Sequence, residues 1–356
     1  MNLNRQNRYA FADGLRALAA LWVVLYHLNE GQHVAQLTKF LGTFFTSLVF
    51  EHGNLGVPIF FVLSGFVMAI TTESKKMGIK QSAQFMLRRL ARLSPPYYIA
   101  MLLSLVVIGL KVKHGEPDAY WPSWSVILAH MVYLQGFLQY QQINVVFWTL
   151  CYEMQFYFVF SIFIYFISQR LPGSLAHWFM IFLMTIPALL WLVFVPHDAP
   201  VHSFVHNHLI FIYYWYAFCA GTLVGWCSNR GQLFQFYLIA FYGCLIVIGA
   251  VEYNLFAITA GLTSFIMHMA MKYKKMNSWL NYTPLQLLGL VSYSLYLIHN
   301  NITGAYGRIF RAFFGHSTSS DFMFMLSSVI VCFIAAYIMY TLVEKPSIKM
   351  SQKIKY

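Results

Sequence analysis

Leu55-Gly56-Val57-Pro58-Ile59-Phe60-Phe61-Val62-Leu63-Ser64-Gly65-Phe66-Val67-Met68-Ala69-Ile70-Thr71-Thr72 runs without a single charged side chain, and Lys75 and Lys76 follow within four residues. Eighteen helical residues extend about 27 Å, close to the roughly 30 Å of a bilayer's hydrocarbon core. The stretch reads as a membrane-spanning helix ended by a basic anchor. Outward from it, comparable apolar stretches recur near 14–30, 93–112, 146–168, 176–195, 208–227, 235–251, 254–271, 285–304 and 322–343. The expectation is an all-α, polytopic transmembrane bundle of about ten spanning helices. A further stretch near 124–138 is short and contains His130 and Gln135, so it is expected not to span.

Composition supports this reading. Apolar residues make up 59% of the 356, aromatics 19% and charged residues 10%. A soluble domain carries about 25% charged residues, so this chain has too few to cover a globular surface. The mean hydropathy of +0.60 agrees. Disordered, coiled-coil, collagenous and disulfide-stapled classes are excluded as well. The five cysteines lie in apolar runs, are odd in number and form no CxxC, so they read as reduced packing residues. No cleavable signal peptide is expected, because Arg16 interrupts the first apolar run. The connections between segments are too short for a separate folded unit, so residues 1–356 are expected to form one integral-membrane domain.

The net charge of +12 comes without a nucleic-acid-binding module, so nucleic acid is not expected as a partner. Basic loops facing anionic membrane lipids explain it better. With ten crossings and a cytoplasmic N-terminus, 18 of the 23 basic residues lie inside, leaving Lys39, Lys111, Lys113, Arg308 and Arg311 outside. Letting 124–138 span would reverse every later loop and bring the split to 11 and 12. The positive-inside rule therefore favours ten crossings with both termini cytoplasmic.

An ionisable side chain at mid-membrane costs roughly 2.5–3.5 kcal/mol on insertion scales, so each one is a candidate for function. Asp13, Arg16 and His27 share a face of the first helix, with Arg16 and His27 three turns, about 16 Å, apart. A plainer reading has Arg16 reaching the headgroups and His27 packing near the opposite interface. Glu153 lies in Trp148-Thr149-Leu150-Cys151-Tyr152-Glu153 with Thr149 and Tyr157 at i±4; the plainer reading is a carboxyl that is protonated or pairs with Arg16 to lock two helices. Ser292, Tyr296 and His299 fall on one helical face, where a satisfied core histidine is as good a reading as a catalytic one. Arg88, Arg89 and Arg92 cluster where a basic loop enters a helix; they can anchor topology or pair bidentately with phosphates. His268, close to Lys272, is expected at the interface. His197, His202, His206 and His208 crowd one loop, but HExxH is absent and Asp198 is the only nearby acid, so no metal is expected. Gly221 and Gly225 form a GxxxG suited to close helix packing. No Walker A motif or GxGxxG suggests an ATP-driven pump.

Together these motifs resemble the acyltransferase-3 family of integral-membrane O-acyltransferases. The similarity runs through Asp13-Gly14-Leu15-Arg16-Ala17 leading to His27, then Gly56 to Phe66, then the RxxR of Arg89 and Arg92. It continues through Trp148-Thr149-Leu150 to Glu153 and Phe156-Tyr157, and ends at Ser292-Tyr293-Ser294-Leu295-Tyr296-Leu297-Ile298-His299. The resemblance implies transfer of an acyl group, usually acetyl, from cytoplasmic acyl-CoA to a hydroxyl of an extracytoplasmic glycan or lipid-linked saccharide. It implies no permanently bound cofactor, acyl-CoA serving as donor substrate. His27 and Glu153 become candidate catalytic residues, and Arg16, Arg88, Arg89 and Arg92 candidate CoA-binding residues. Asp13, Trp148, Tyr157, Tyr296 and His299 become candidate substrate or supporting residues. Some family members carry a fused SGNH domain; its absence from these residues leaves open direct transfer or hand-off to a separate SGNH-type partner.

On this reading His27 acts as general base or transient acyl carrier, and Glu153 is a candidate to orient its imidazole. The competing expectations are a transporter or flippase in which Arg16, Glu153 and His27 line a path, and an enzyme using succinyl or longer acyl groups.

Overall fold

A computed structural model describes residues 9–72, 78–170, 173–194 and 211–355. The described residues form helices and connecting turns, with no β-strand among them. In chain order these are α1 (Ala10–Glu30), α2 (Ala35–Thr46), α3 (Gly56–Thr72), α4 (Ile79–Lys113), α5 (Trp124–Met131), α6 (Phe147–Arg170) and α7 (Gly173–Phe194). There follow α8 (Trp215–Cys227), α9 (Gln232–Val251), α10 (Leu255–Lys272), α11 (Thr283–Phe314), α12 (Thr318–Met339) and α13 (Lys345–Lys353). The protein is an all-α, polytopic helical bundle and an integral membrane protein.

A helix occupies each of the ten apolar stretches expected from sequence. Seven helical segments among the described residues are long and apolar enough to cross a membrane: 10–30, 35–72, 79–113, 147–166, 232–251, 255–272 and 318–353. The other three stretches correspond to α7, α8 and α11, and each falls short for its own reason. Among the described residues of α7, the apolar helical stretch is Ile181–Phe194, about 21 Å. Helix α8 has 13 residues, about 20 Å, and all of them are buried. Helix α11 is long but carries Ser292, Ser294, His299, Asn300 and Asn301 through its middle. The segment 124–138 is an eight-residue helix followed by turns, about 12 Å of helix and too short to cross.

Two packings position the site. Helix α1 runs parallel to α11: a methyl on Gly289 would strike the Asp13 backbone, His27 faces His299, and Gly307 lies under His33. Helix α3 packs backbone to backbone on α8. A Cβ on Gly65 would collide with the Phe218 carbonyl, and one on Gly221 with the Val62 carbonyl, so only glycine permits this approach. The GxxxG therefore serves packing, as its spacing suggests. Pro95 and Pro96 inside α4 remove the helical N–H partners of the Ala91 and Arg92 carbonyls. Next to them the Leu93 carbonyl accepts from the Tyr293 hydroxyl at 2.8 Å, tying α4 to α11.

The five cysteines are free thiols; four are buried and Cys244 is exposed on α9. His268 is buried rather than interfacial, at 1% exposure, because α10 turns that face toward Tyr242 of α9. The loop histidines His197, His202, His206 and His208 lie outside the described residues.

Candidate active site

A cavity of about 110 Å³ opens between α1, α3, α4, α6 and α11. Its polar lining is Arg16 from α1, Ser64 from α3, Arg89 and Arg92 from α4, Thr149, Glu153 and Tyr157 from α6, and Ser292, Tyr293 and Tyr296 from α11. Phe60, Phe61, Val57, Val67, Leu93 and Leu150 complete the wall. Residues dispersed over 280 positions of sequence thus meet in one place. Three guanidinium groups around a single carboxylate leave the cavity cationic, suited to an anionic ligand.

Arg16, Arg89 and Glu153 each have an orienting partner. Arg16 Nη1 donates to Asp13 Oδ1 at 3.0 Å, the i, i+3 pair that sequence spacing suggests. Arg89 lies over the rings of Phe85 and Tyr157, 5.3 and 5.5 Å from their centroids, and donates to Thr71 Oγ1 at 3.4 Å. Those aromatic faces hold the cation toward the cavity. Glu153 Oε1 accepts from Ser64 Oγ at 2.5 Å and from the Tyr157 hydroxyl. Both i±4 neighbours of Glu153 therefore reach the cavity, and Thr149 goes on to share a hydrogen bond with the Tyr296 hydroxyl at 2.9 Å.

His27 lies beyond this lining. The route to it runs along α11: Tyr296 lines the cavity, its ring lies 6.0 Å from His299, and His299 lies 5.1 Å from His27. His299 Nδ1 lies 2.8 Å from the Tyr296 carbonyl and 3.1 Å from that of Leu295. A carbonyl only accepts, so Nδ1 carries the hydrogen and Nε2 is the bare acceptor. That Nε2 is buried with no hydrogen-bond partner. Ser292, Tyr296 and His299 share a face as expected, and they connect the cavity to His27.

Three sequence expectations meet a different geometry. Glu153, offered as the group orienting His27, is bonded to Ser64 and Tyr157; the carboxylate on His27 is Glu30, 2.8 Å from Nδ1. Arg88 does not line the cavity, although Arg89 and Arg92 do. Trp148 does not line it either, its ring packing against Tyr152 and Tyr214 at 5.7 and 5.6 Å. Sequence reasoning also passed over two residues. Glu30 ends α1, where a charge raises no membrane cost, but its i+3 spacing from His27 was a readable signal. Glu344 precedes Lys345 near the end of the chain and was not singled out. It is buried, accepts from Ser294 Oγ at 2.6 Å, and lies in the field of Arg92 and Arg16.

With the geometry established, comparison with known proteins is informative. The chain is 31% identical to the peptidoglycan O-acetyltransferase OatA of Listeria monocytogenes over 164 residues, 43% of this chain and 23% of that protein. It is 27% identical to the acyltransferase MdmB of Streptomyces mycarofaciens over 169 residues, 46% of this chain and 41% of that one. The chain thus aligns with less than half the length of these curated relatives. No solved structure matches it. A family model described as an acyltransferase domain matches residues 9–341, which include every lining residue of the cavity together with His27, Glu30 and His299. The chain belongs to this acyltransferase family.

Proposed function

We propose that the protein is a membrane O-acyltransferase that takes an acyl group from cytoplasmic acyl-CoA and esterifies a hydroxyl of an extracytoplasmic glycan or lipid-linked saccharide. The observation that carries this reading is the convergence of Arg16, Arg89 and Arg92 on one cavity, with the aromatic and imidazole side chains of Tyr296, His299 and His27 continuing from it. The positive-inside distribution supports a cytoplasmic arginine end, on the side where acyl-CoA is found. The arginines hold the phosphates of CoA. Glu153, fixed by two hydroxyl donors, accepts from an amide N–H of the pantetheine arm. The thioester advances past Tyr296 toward His27, and acetyl is the proposed acyl group.

The chemistry then needs one base. His27 Nε2 takes the proton of the acceptor hydroxyl as its oxygen attacks the thioester carbonyl. The C–O bond forms, the C–S bond breaks, and the proton passes from the imidazolium to the departing thiolate. The products are the ester and free CoA. OatA's name specifies peptidoglycan as its acceptor; for this chain a saccharide hydroxyl is the proposed class.

Purified protein in lipid nanodiscs, given acetyl-CoA labelled in the acetyl group and an extract of cell-envelope saccharides, tests this. Label in ester linkage to a saccharide, with stoichiometric release of CoA, is the expected result. Acetyl-CoA left intact, together with saccharide movement across proteoliposomes, would replace the enzyme with a transporter.

A further inference from the structure

We infer that Glu30 is the positioning residue for His27, a role that rests on the proposed transfer reaction and leaves Glu153 to the donor cavity. Glu30 Oε2 lies 2.8 Å from His27 Nδ1. An ionised carboxylate only accepts, so the hydrogen belongs on Nδ1, and the neutral ring keeps its lone pair on Nε2. The second oxygen, Glu30 Oε1, accepts from the Tyr26 hydroxyl at 3.1 Å. The carboxylate is therefore held from both sides, and the Tyr26 ring lies edge-on to the imidazole at 5.0 Å.

Helix stability does not explain an acid here. Glu30 is the last residue of α1, where the carbonyl end of the helix disfavours negative charge. The same carbonyl end and carboxylate favour the positive charge that develops on His27 as it takes a proton. The opposing wall is equally ordered. His299 is fully buried, its Nδ1–H is spent on backbone carbonyls, and its unpartnered Nε2 lies on a ring 5.1 Å from His27. Two imidazoles with set tautomers thus adjoin, and the one with a carboxylate behind it is equipped as the base.

The test compares wild type with Glu30→Ala and Glu30→Gln in nanodiscs, using two readouts. The first is ¹⁵N NMR of histidine-labelled protein, with the His27 signals assigned by their loss in His27→Asn. Wild type should show the Nδ1–H tautomer, and Glu30→Ala a mixture or the Nε2–H form. The second is acetyl transfer kinetics. Glu30→Ala should lower kcat by about 10²-fold with KM for acetyl-CoA within twofold, and Glu30→Gln, which keeps an acceptor but loses the charge, should fall between. A merely structural contact would leave the tautomer, or the split between kcat and KM, unmoved. An unchanged tautomer in Glu30→Ala, or kcat within twofold of wild type, overturns the assignment. If wild type itself transfers nothing, the proposed function fails, and the NMR result still decides whether Glu30 sets His27.

Discussion

The two ends of α1 bring similar side chains into opposite settings. At one end Arg16 is joined by Arg89 and Arg92 around a cavity, and its partner carboxylate is Asp13, three residues before it. At the other end His27 meets a second imidazole, and its partner carboxylate is Glu30, three residues after it. Each end uses an i, i+3 acid to aim one functional group. The first gathers fixed cations, which suits holding polyanionic phosphates. The second sets two imidazoles beside a carboxylate, an arrangement suited to proton transfer. Under the proposed function, binding and chemistry are separated along one helix by about three turns. Glu153, fixed by Ser64 and Tyr157, belongs to the binding end.

That separation can be broken most forcefully at His27. His27→Ala should reduce acetyl transfer by at least 10²–10⁴-fold, measured with labelled acetyl-CoA, while the protein stays inserted. Next, Arg89→Ala combined with Arg92→Ala should weaken CoA binding by about a hundredfold or more. Each charge-assisted phosphate contact contributes roughly 1.5–3 kcal/mol. Arg88→Ala, one residue from that pair, should change CoA affinity by no more than about twofold, since it does not line the cavity. Equal losses at all three arginines would reduce them to a diffuse basic patch.

A smaller effect sharpens the comparison further. Glu153→Gln should raise KM for acetyl-CoA roughly tenfold, and its loss should multiply with that of His27→Ala, because the two groups serve different ends. Glu30→Ala should instead add little to His27→Ala, since residues acting as a unit are not additive. The reverse pattern would return Glu153 to the imidazole. Smallest of all, Tyr157→Phe removes one of the two hydroxyl donors to Glu153 and should cost about 0.5–1.5 kcal/mol, a few-fold in KM.

Much of this was legible in the sequence, and the limits have physical causes. Charge-free runs of membrane length located the helices, because lipid imposes one length and one composition. Helix α8 shows where that signal stops: apolar residues on every side read alike whether lipid or protein surrounds them, and here protein surrounds all thirteen. The shared faces of Asp13 and Arg16, of Thr149, Glu153 and Tyr157, and of Ser292 and Tyr296 followed from helical periodicity, and each set reaches the cavity or its edge. Helical spacing does not choose among Arg88, Arg89 and Arg92, although the RxxR resemblance points to Arg89 and Arg92. Arg88 and Arg92 are four apart and Arg89 and Arg92 three, so spacing favours neither pair; the rings of Phe85 and Tyr157 decide it. Pairings between helices were out of reach for the same reason. An intramembrane carboxylate demands a partner, but sequence cannot say that Glu153 finds Ser64 while His27 is served by a residue at the end of its own helix.

The separation of binding from chemistry is tested most directly by measuring CoA affinity for His27→Ala and for the Arg89→Ala, Arg92→Ala double variant side by side in nanodiscs. The account predicts wild-type affinity, within about twofold, in the inactive His27→Ala protein, and a loss of about a hundredfold or more in the arginine variant. Comparable losses of CoA affinity in both would contradict it, because His27 would then belong to the donor site rather than to a separate chemical end.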